Sequence, residues 1–373
     1  MMTRSNGLGD SLLSLAAVSE SKNAFDTVLS ALDGELDRNE VEDMMTRSDG
    51  HGDSLLSLAA ASGSKNAFQN VLEALDVRVD KNEVRQFKLY ICVFRAYSII
   101  HYGRSLLTFA VSSGNKDCFE AVLDAVQTRL TDDQLEKLLT RKDKSHRSLL
   151  AVAVSTRNKY FFEAVLASVE TRLTPDQLEK MLTRKDKSHR SLMAVAVSTG
   201  NKDFFDAVLD AVKTRLAPDQ LEQMLTRKDM SHRSLLAVAV STGNKDCFEA
   251  VLASVKTRLT PDQVGRFEIW LETIDQIDMS HGSLLAVSAS TGKKDCFEAV
   301  LAAVETRLTP DQLEKLLTQK GRLDRSLLAD AVSTGSKDCF EAVLASVETR
   351  LTPDQVSRSE IWLELINQIV LVL

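Results

Sequence analysis

The motif Ser-Leu-Leu returns at Ser11, Ser54, Ser105, Ser148, Ser234, Ser283 and Ser326, and as Ser-Leu-Met at Ser191, so the chain is eight copies of one unit. Successive starts lie 43, 51, 43, 43, 43, 49 and 43 residues apart. A period in this range fixes the architecture before any element is assigned, because a unit this small hides its apolar face only by stacking on its neighbours. The 373 residues are therefore read as a single repeat domain, residues 1–373, rather than the two or three globular domains that such a length ordinarily suggests.

Composition narrows the stack to helices. At 44% hydrophobic but only 5% aromatic, the core has to be built from Leu, Val and Ala, which suits short helices lying close together. In the unit Ser148 to Arg190, the run Leu149 to Ser155 is short and rich in small residues, and is read as the first helix. The usual stop is Thr-Gly-Asn, as at Thr199 to Asn201, where Gly accepts the left-handed geometry that ends a helix. Arg157 replaces that Gly in this unit and is expected to weaken the turn. A second helix over about Lys159 to Thr171 places Phe162, Val165, Leu166 and Val169 on one stripe, with Glu163 and Glu170 in solvent.

The third helix has the plainest start signal. Thr174-Pro175-Asp176-Gln177 supplies a capping hydroxyl, a proline at the first helical position, an acid near the positive end of the dipole and a Gln that closes a capping box. Leu173 and Leu178 stand at the two positions of a hydrophobic staple. All five prolines (Pro175, Pro218, Pro261, Pro310, Pro353) occupy this one site, so none interrupts a helix. Asp37 to Glu40 and Asp80 to Glu83 are the corresponding boxes of the first two units, and Ala217 stands where one unit should have its capping Thr.

Four cysteines (Cys118, Cys247, Cys296, Cys339) lie thirteen residues after their repeat Ser, where sister units have Phe161, Phe204, Ala24 and Ala67. A position that exchanges Cys with Phe and Ala is a packing seat, so neither disulfides nor a metal site are expected.

The register of Arg184-Lys-Asp-Lys-Ser-His-Arg-Ser191, then Leu-Met-Ala-Val-Ala-Val, then Ser-Thr-Gly200-Asn-Lys-Asp-Phe-Phe-Asp-Ala-Val-Leu209 resembles the ankyrin repeat. That family's pattern is a D-x-x-G-R turn, T-P-L-H-x-A-A, then G-H and a helix ending in aliphatics. Ser191 matches its Thr, Met193 its Leu, Ala196 its Ala, Gly200 its Gly and Asn201 its His. The Pro and His of T-P-L-H are absent throughout. The resemblance implies an all-α, elongated solenoid of about eight ankyrin-like repeats with an added third helix, and a non-catalytic protein-interaction role using the turns and the adjoining short first helices. Unit length alone favours a HEAT or armadillo-like α-solenoid, which is the alternative.

Chemistry is hard to find in such a chain. Four of the six histidines (His146, His189, His232, His281) lie two residues before a repeat Ser, and repeats about 10 Å apart do not bring them around one metal, whose nitrogen ligands sit about 2 Å away. They replace the ankyrin turn glycine, a place His tolerates because it is among the residues found at positive φ. Ser188-His189 lacks the third group and pocket of a catalytic triad. No enzyme activity and no cofactor are expected.

A basic edge runs through the middle turns: Arg141, Lys142, Lys144 and Arg147, then Arg184, Lys185, Lys187 and Arg190, then Arg227, Lys228 and Arg233. Such an edge is read first as solvated turns whose charges offset the Asp and Glu of the adjoining helices, and otherwise as a surface for an acidic protein partner or, in the competing reading, for a nucleic acid or other polyanion. The chain's net charge of -7 and the lack of stacking aromatics in the repeats disfavour nucleic acid. A degenerate array without a specific ligand is a further alternative.

Three segments break the repeat, at 84–104, 264–282 and 356–373, and they hold both tryptophans, Trp270 and Trp362. They are read as bulging binding elements, as longer third helices, or as introns translated in frame, since Val followed by Arg, Gly or Ser is what GT-N-N-GT encodes. Met1-Met-Thr-Arg-Ser repeats Met44-Met-Thr-Arg-Ser, and Ile369 to Leu373 is an apolar tail, which together point to a fragmentary gene model. With no apolar core in residues 1–10 and Arg95 inside the most apolar insert, neither a secretory signal nor a membrane span is indicated. The expectation is a monomeric cytoplasmic protein whose partner is another protein.

Overall fold

The computed structural model describes residues 12–36, 40–41, 45, 54–78, 105–258, 283–306, 308–319, 325–352 and 354–355. The three inserts, Trp270 and Trp362 within them, His281, Pro261, Pro353 and the boxes begun by Asp37 and Asp80 lie outside the described residues or only partly within them. Among the described residues every regular element longer than one residue is an α-helix, and no helix is long and apolar enough to cross a membrane.

The chain divides into two compact units, Met1–Lys187 and Ser188–Leu373. The first holds α1 (Leu12–Ala17), α2 (Lys22–Glu35), α3 (Leu55–Ala61), α4 (Lys65–Arg78), α5 (Leu106–Ser112), α6 (Lys116–Gln127), α7 (Asp132–Leu139), α8 (Leu149–Ser155), α9 (Lys159–Glu170) and α10 (Pro175–Leu182). The second holds α11 (Leu192–Val197), α12 (Lys202–Lys213), α13 (Pro218–Thr226), α14 (Leu235–Ser241), α15 (Lys245–Arg258), α16 (Leu284–Ala289), α17 (Lys294–Glu305), α18 (Pro310–Thr318), α19 (Leu327–Ser333) and α20 (Lys337–Arg350). Each repeat is a short first helix, a longer second helix antiparallel to it and, where described, a third.

The repeat serine starts the unit for a physical reason: it is the N-cap of the first helix. Ser54, Ser105, Ser148, Ser191, Ser234, Ser283 and Ser326 each accept, through the side chain, the backbone N–H three residues on. The helix ends about two turns later, and the chain then passes through a left-handed residue, with φ of 72° at Gly114, 69° at Gly200 and 68° at Gly243. Arg157 adopts the same geometry, φ 60°, so the turn is kept and any strain falls on the arginine. Asn115, Asn158, Asn201 and Asn244 then cap the second helix. Phe162, Val165, Leu166 and Val169 are buried and Glu163 and Glu170 exposed, as their spacing required.

Stacking is built from like on like. In the first unit α1 packs on α3, α3 on α5 and α5 on α8, while α2 packs on α4 and α4 on α6. In the second unit α11 packs on α14, α14 on α16 and α16 on α19, and α12, α15, α17 and α20 follow in the same order. Phe119 and Phe161 meet edge to face with ring centroids 6.0 Å apart, joining α6 to α9. The Arg129 guanidinium of one repeat reaches the Asp76 carboxylate of the one before at 2.6 Å, and Arg172 donates to the Gln127 side chain in the same register at 2.9 Å.

The seat thirteen residues after the repeat Ser is the joint between repeats. Cys118 Sγ points at the Ala60 carbonyl at 3.6 Å, Cys247 at Val197, Cys296 at Val240 and Cys339 at Ala289. All four thiols, together with Phe161 and Phe204, are buried. Ala24, at the same place in the first repeat, is exposed.

Candidate functional site

The turns that join one repeat to the next carry most of the residues singled out from the sequence. In the turn Asp143 to Arg147, the Asp143 N–H donates to the Arg147 carbonyl (3.1 Å) and the His146 N–H to the Asp143 carbonyl (2.9 Å). The Asp143 carboxylate closes the hairpin from within: Oδ1 accepts the Arg147 backbone N–H at 2.9 Å, while Oδ2 accepts Nε at 2.9 Å and lies 2.8 Å from Nη2. Asp229 and Arg233 repeat this arrangement, with Nε at 3.0 Å and Nη2 at 2.9 Å. Asp143, Asp186 and Asp229 are all buried.

The tips have positive φ, 59° at His146, 57° at His189 and 55° at His232, which is what their match to the turn glycine predicted. These three imidazoles are exposed. Within the first unit the Lys187 N–H donates to the Ser145 carbonyl at 2.8 Å, and within the second the Met230 N–H donates to the Ser188 carbonyl at 2.9 Å. Successive turns are thus tied backbone to backbone, and the hairpin is the element that separates an ankyrin-like repeat from a purely helical HEAT-like one.

The basic edge divides by depth. Lys142, Lys187 and Lys228 are exposed, and Lys144, Lys185 and Arg190 are half-buried. Arg147 and Arg233 are committed to the carboxylates just described, and Arg184 Nη1 donates to the Thr140 carbonyl at 2.7 Å, its pKa lowered by burial. The edge is less positive than a count of its cations implies. The second member of each ion pair was missed in the sequence, although an acid four residues before an arginine recurs at 143/147, 186/190 and 229/233.

The short first helices, expected to join the turns in binding, are enclosed in three middle repeats. Leu149 through Val154, Leu192 through Val197 and Leu235 through Val240 are wholly buried, because neighbouring first helices and their own second helices cover them; in the second unit α13 adds a further cover to α11. Large apolar side chains stand exposed on α1, with Leu12 44% and Leu15 53% exposed.

Catalytic groups are not gathered anywhere in the described residues, and no three His, Cys, Asp or Glu are placed to hold a metal there. Burial pushes the thiols of Cys118, Cys247 and Cys296 up to about 11, which keeps them protonated and unreactive.

No family model matches the chain, and no curated protein matches it. Among solved structures it is similar to the ankyrin repeat domain of Bcl-3, a member of the IkappaB protein family, at 16% identity and a TM-score of 0.40, over 66% of this chain and 86% of that one. It is also similar to a chain of the complex between the Bd0816 predatory endopeptidase of Bdellovibrio bacteriovorus and immunity protein Bd3460, at 15% identity and a TM-score of 0.42, over 66% of this chain and 98% of that one. Likenesses this distant carry no argument, and the description of the fold as ankyrin-like repeats rests on the caps, left-handed turns and hairpins of the chain itself.

Proposed function

We propose that the chain is a non-catalytic protein-interaction scaffold that binds through the hairpin turns of each unit. The observation that carries this reading is the contrast between a rigid base and an open tip. Buried Asp–Arg forks close the hairpins begun by Asp143 and Asp229, and backbone hydrogen bonds from Lys187 and Met230 tie their hairpins to the turn before, while Lys142, His146, Lys187, His189, Lys228 and His232 stand exposed. Pre-organised loops on a regular frame bind with little ordering cost. Neutralisation of Arg147 and Arg233 by carboxylates weakens the competing polyanion reading. The test is capture of partners from the native cell by the full chain and by the Lys142→Ala/Lys187→Ala/Lys228→Ala variant. A protein lost with the variant, and held by the wild type with little change between 50 and 200 mM salt, supports the proposal. A roughly thousandfold loss of affinity over that salt range would mark a polyanion binder instead, and identical capture by both proteins would remove the turns from the account.

A further inference from the structure

We infer that the Thr156 to Tyr160 turn is a second docking site, built for an acidic segment of a partner protein. The inference rests on the reading of the chain as a protein-binding scaffold but concerns another place. The turn lies at the far end of α8 from the hairpins, and a seven-residue helix spans about 10 Å.

Near-identical repeats act as internal controls, and this turn departs from them twice within four residues. Where sister repeats have Gly114, Gly200, Gly243, Gly292 and Gly335, this one has Arg157; where they have Asp117, Asp203, Asp246, Asp295 and Asp338, it has Tyr160. The two changes replace a neutral and an anionic residue by a cation and an aromatic, making this turn two charges more positive than those five sisters. Neither change serves packing. Arg157 is exposed and held at φ 60°, and Tyr160 is 79% exposed.

The neighbouring lysine is released as well. Lys116, Lys202, Lys245, Lys294 and Lys337 each pair with the acid four residues on. Lys159 and Glu163 have the same spacing, yet neither engages in an ion pair among the described residues. One turn therefore presents Arg157, Lys159 and Tyr160 together, two cations and the kind of aromatic that dominates interface energies.

Charge complementarity selects the occupant. The three groups suit a carboxylate-bearing peptide at short range. A nucleic acid needs cations repeated along its length, and the adjoining repeat instead offers the exposed Asp117. That repeat lies close, since a Cβ on Gly114 would sit 3.8 Å from Thr156.

The test titrates a fluorescein-labelled deca-glutamate peptide into the full chain, with deca-lysine as counter-probe, and reads anisotropy. The key variant is Arg157→Gly/Tyr160→Asp, which carries residues the sister repeats already hold at these positions; Tyr160→Asp alone is the second variant, and circular dichroism checks the fold of both. The expected result is saturable binding of deca-glutamate and not of deca-lysine, weakened roughly tenfold in the double variant. Unchanged binding in a folded double variant overturns the site. Loss in the hairpin variant alone moves acidic binding to the hairpin edge, overturning this site while sparing the scaffold reading. Absence of binding by the wild type also overturns it, without touching the capture result. Displacement of the peptide by a single-stranded oligonucleotide at lower concentration than by unlabelled peptide replaces the acidic segment by a nucleic acid.

Discussion

The Asp143 carboxylate holds Arg147 through three donors at once, its backbone N–H and two guanidinium nitrogens. The Asp143 side chain is 3% exposed and that of Arg147 22%, so the pair is sheltered enough for its hydrogen bonds to count. Removing the acceptor leaves the Arg147 N–H without a partner in a buried turn. Asp143→Ala is expected to lower stability by about 2 kcal/mol, and Asp143→Asn by less. Urea unfolding measures both; a midpoint unmoved by Asp143→Ala would mean that the fork contributes nothing.

Arg157 is the one described turn between a first and second helix that takes positive φ without a glycine. Arg157→Gly relieves that conformation and is expected to stabilise the chain by about 1 kcal/mol, whereas Arg157→Ala keeps the penalty. The contrast between the two thermal midpoints is the readout, and equal shifts would show that backbone geometry is not the cause.

Among the described residues two helix starts, at Ala217 and Lys293, lack a side-chain cap. Ala217 has only half of a capping box, its N–H donating to Gln220 Oε1 at 3.0 Å, and Lys293 stands where other repeats have Asn or Ser. Ala217→Thr and Lys293→Asn are each expected to add about 1 kcal/mol, and, being far apart in sequence and in different repeats, to add together. Chemical denaturation of the two single variants and the double variant checks both magnitude and additivity.

The buried thiols make stability fall in alkali. With pKa values raised from 9.0 to about 11 in the folded chain, they ionise first in the unfolded state. Their contribution is whole below about pH 9 and is lost as the pH rises towards about 11, at most about 1.4 kcal/mol per pH unit for each thiol. Replacing Cys118, Cys247 and Cys296 by Ala should flatten the decline between pH 9 and pH 11 measured by urea unfolding. An equally steep decline in the variant would assign it to other groups. In the native chain at pH 8, iodoacetamide should leave the three unmodified.

Legibility followed locality. Thr174 with Gln177, the prolines at the first helical position, the glycine stops and the positive φ of the histidines are each decided by residues within one turn, and each was readable. Asp143 was not, because an aspartate in a charged turn looks solvated until the surrounding repeats bury it. The first helices were legible only in part. Their small apolar residues indicated close packing but not on how many sides: Leu149 through Val154, Leu192 through Val197 and Leu235 through Val240 are covered throughout, while Leu12 and Leu15 of α1 are exposed. The contrast between Arg157 with Tyr160 and their sister positions was visible in the alignment of the repeats, yet only exposure and the unpaired Lys159 gave it meaning.

The backbone bonds from Lys187 to Ser145 and from Met230 to Ser188 all run one way, each module giving to its predecessor. Loss of the module Ser148 to Arg190 in frame would bring the Met230 donor to the equivalent carbonyl at Ser145, so in this stretch the number of copies is a heritable variable separate from the sequence of any one of them.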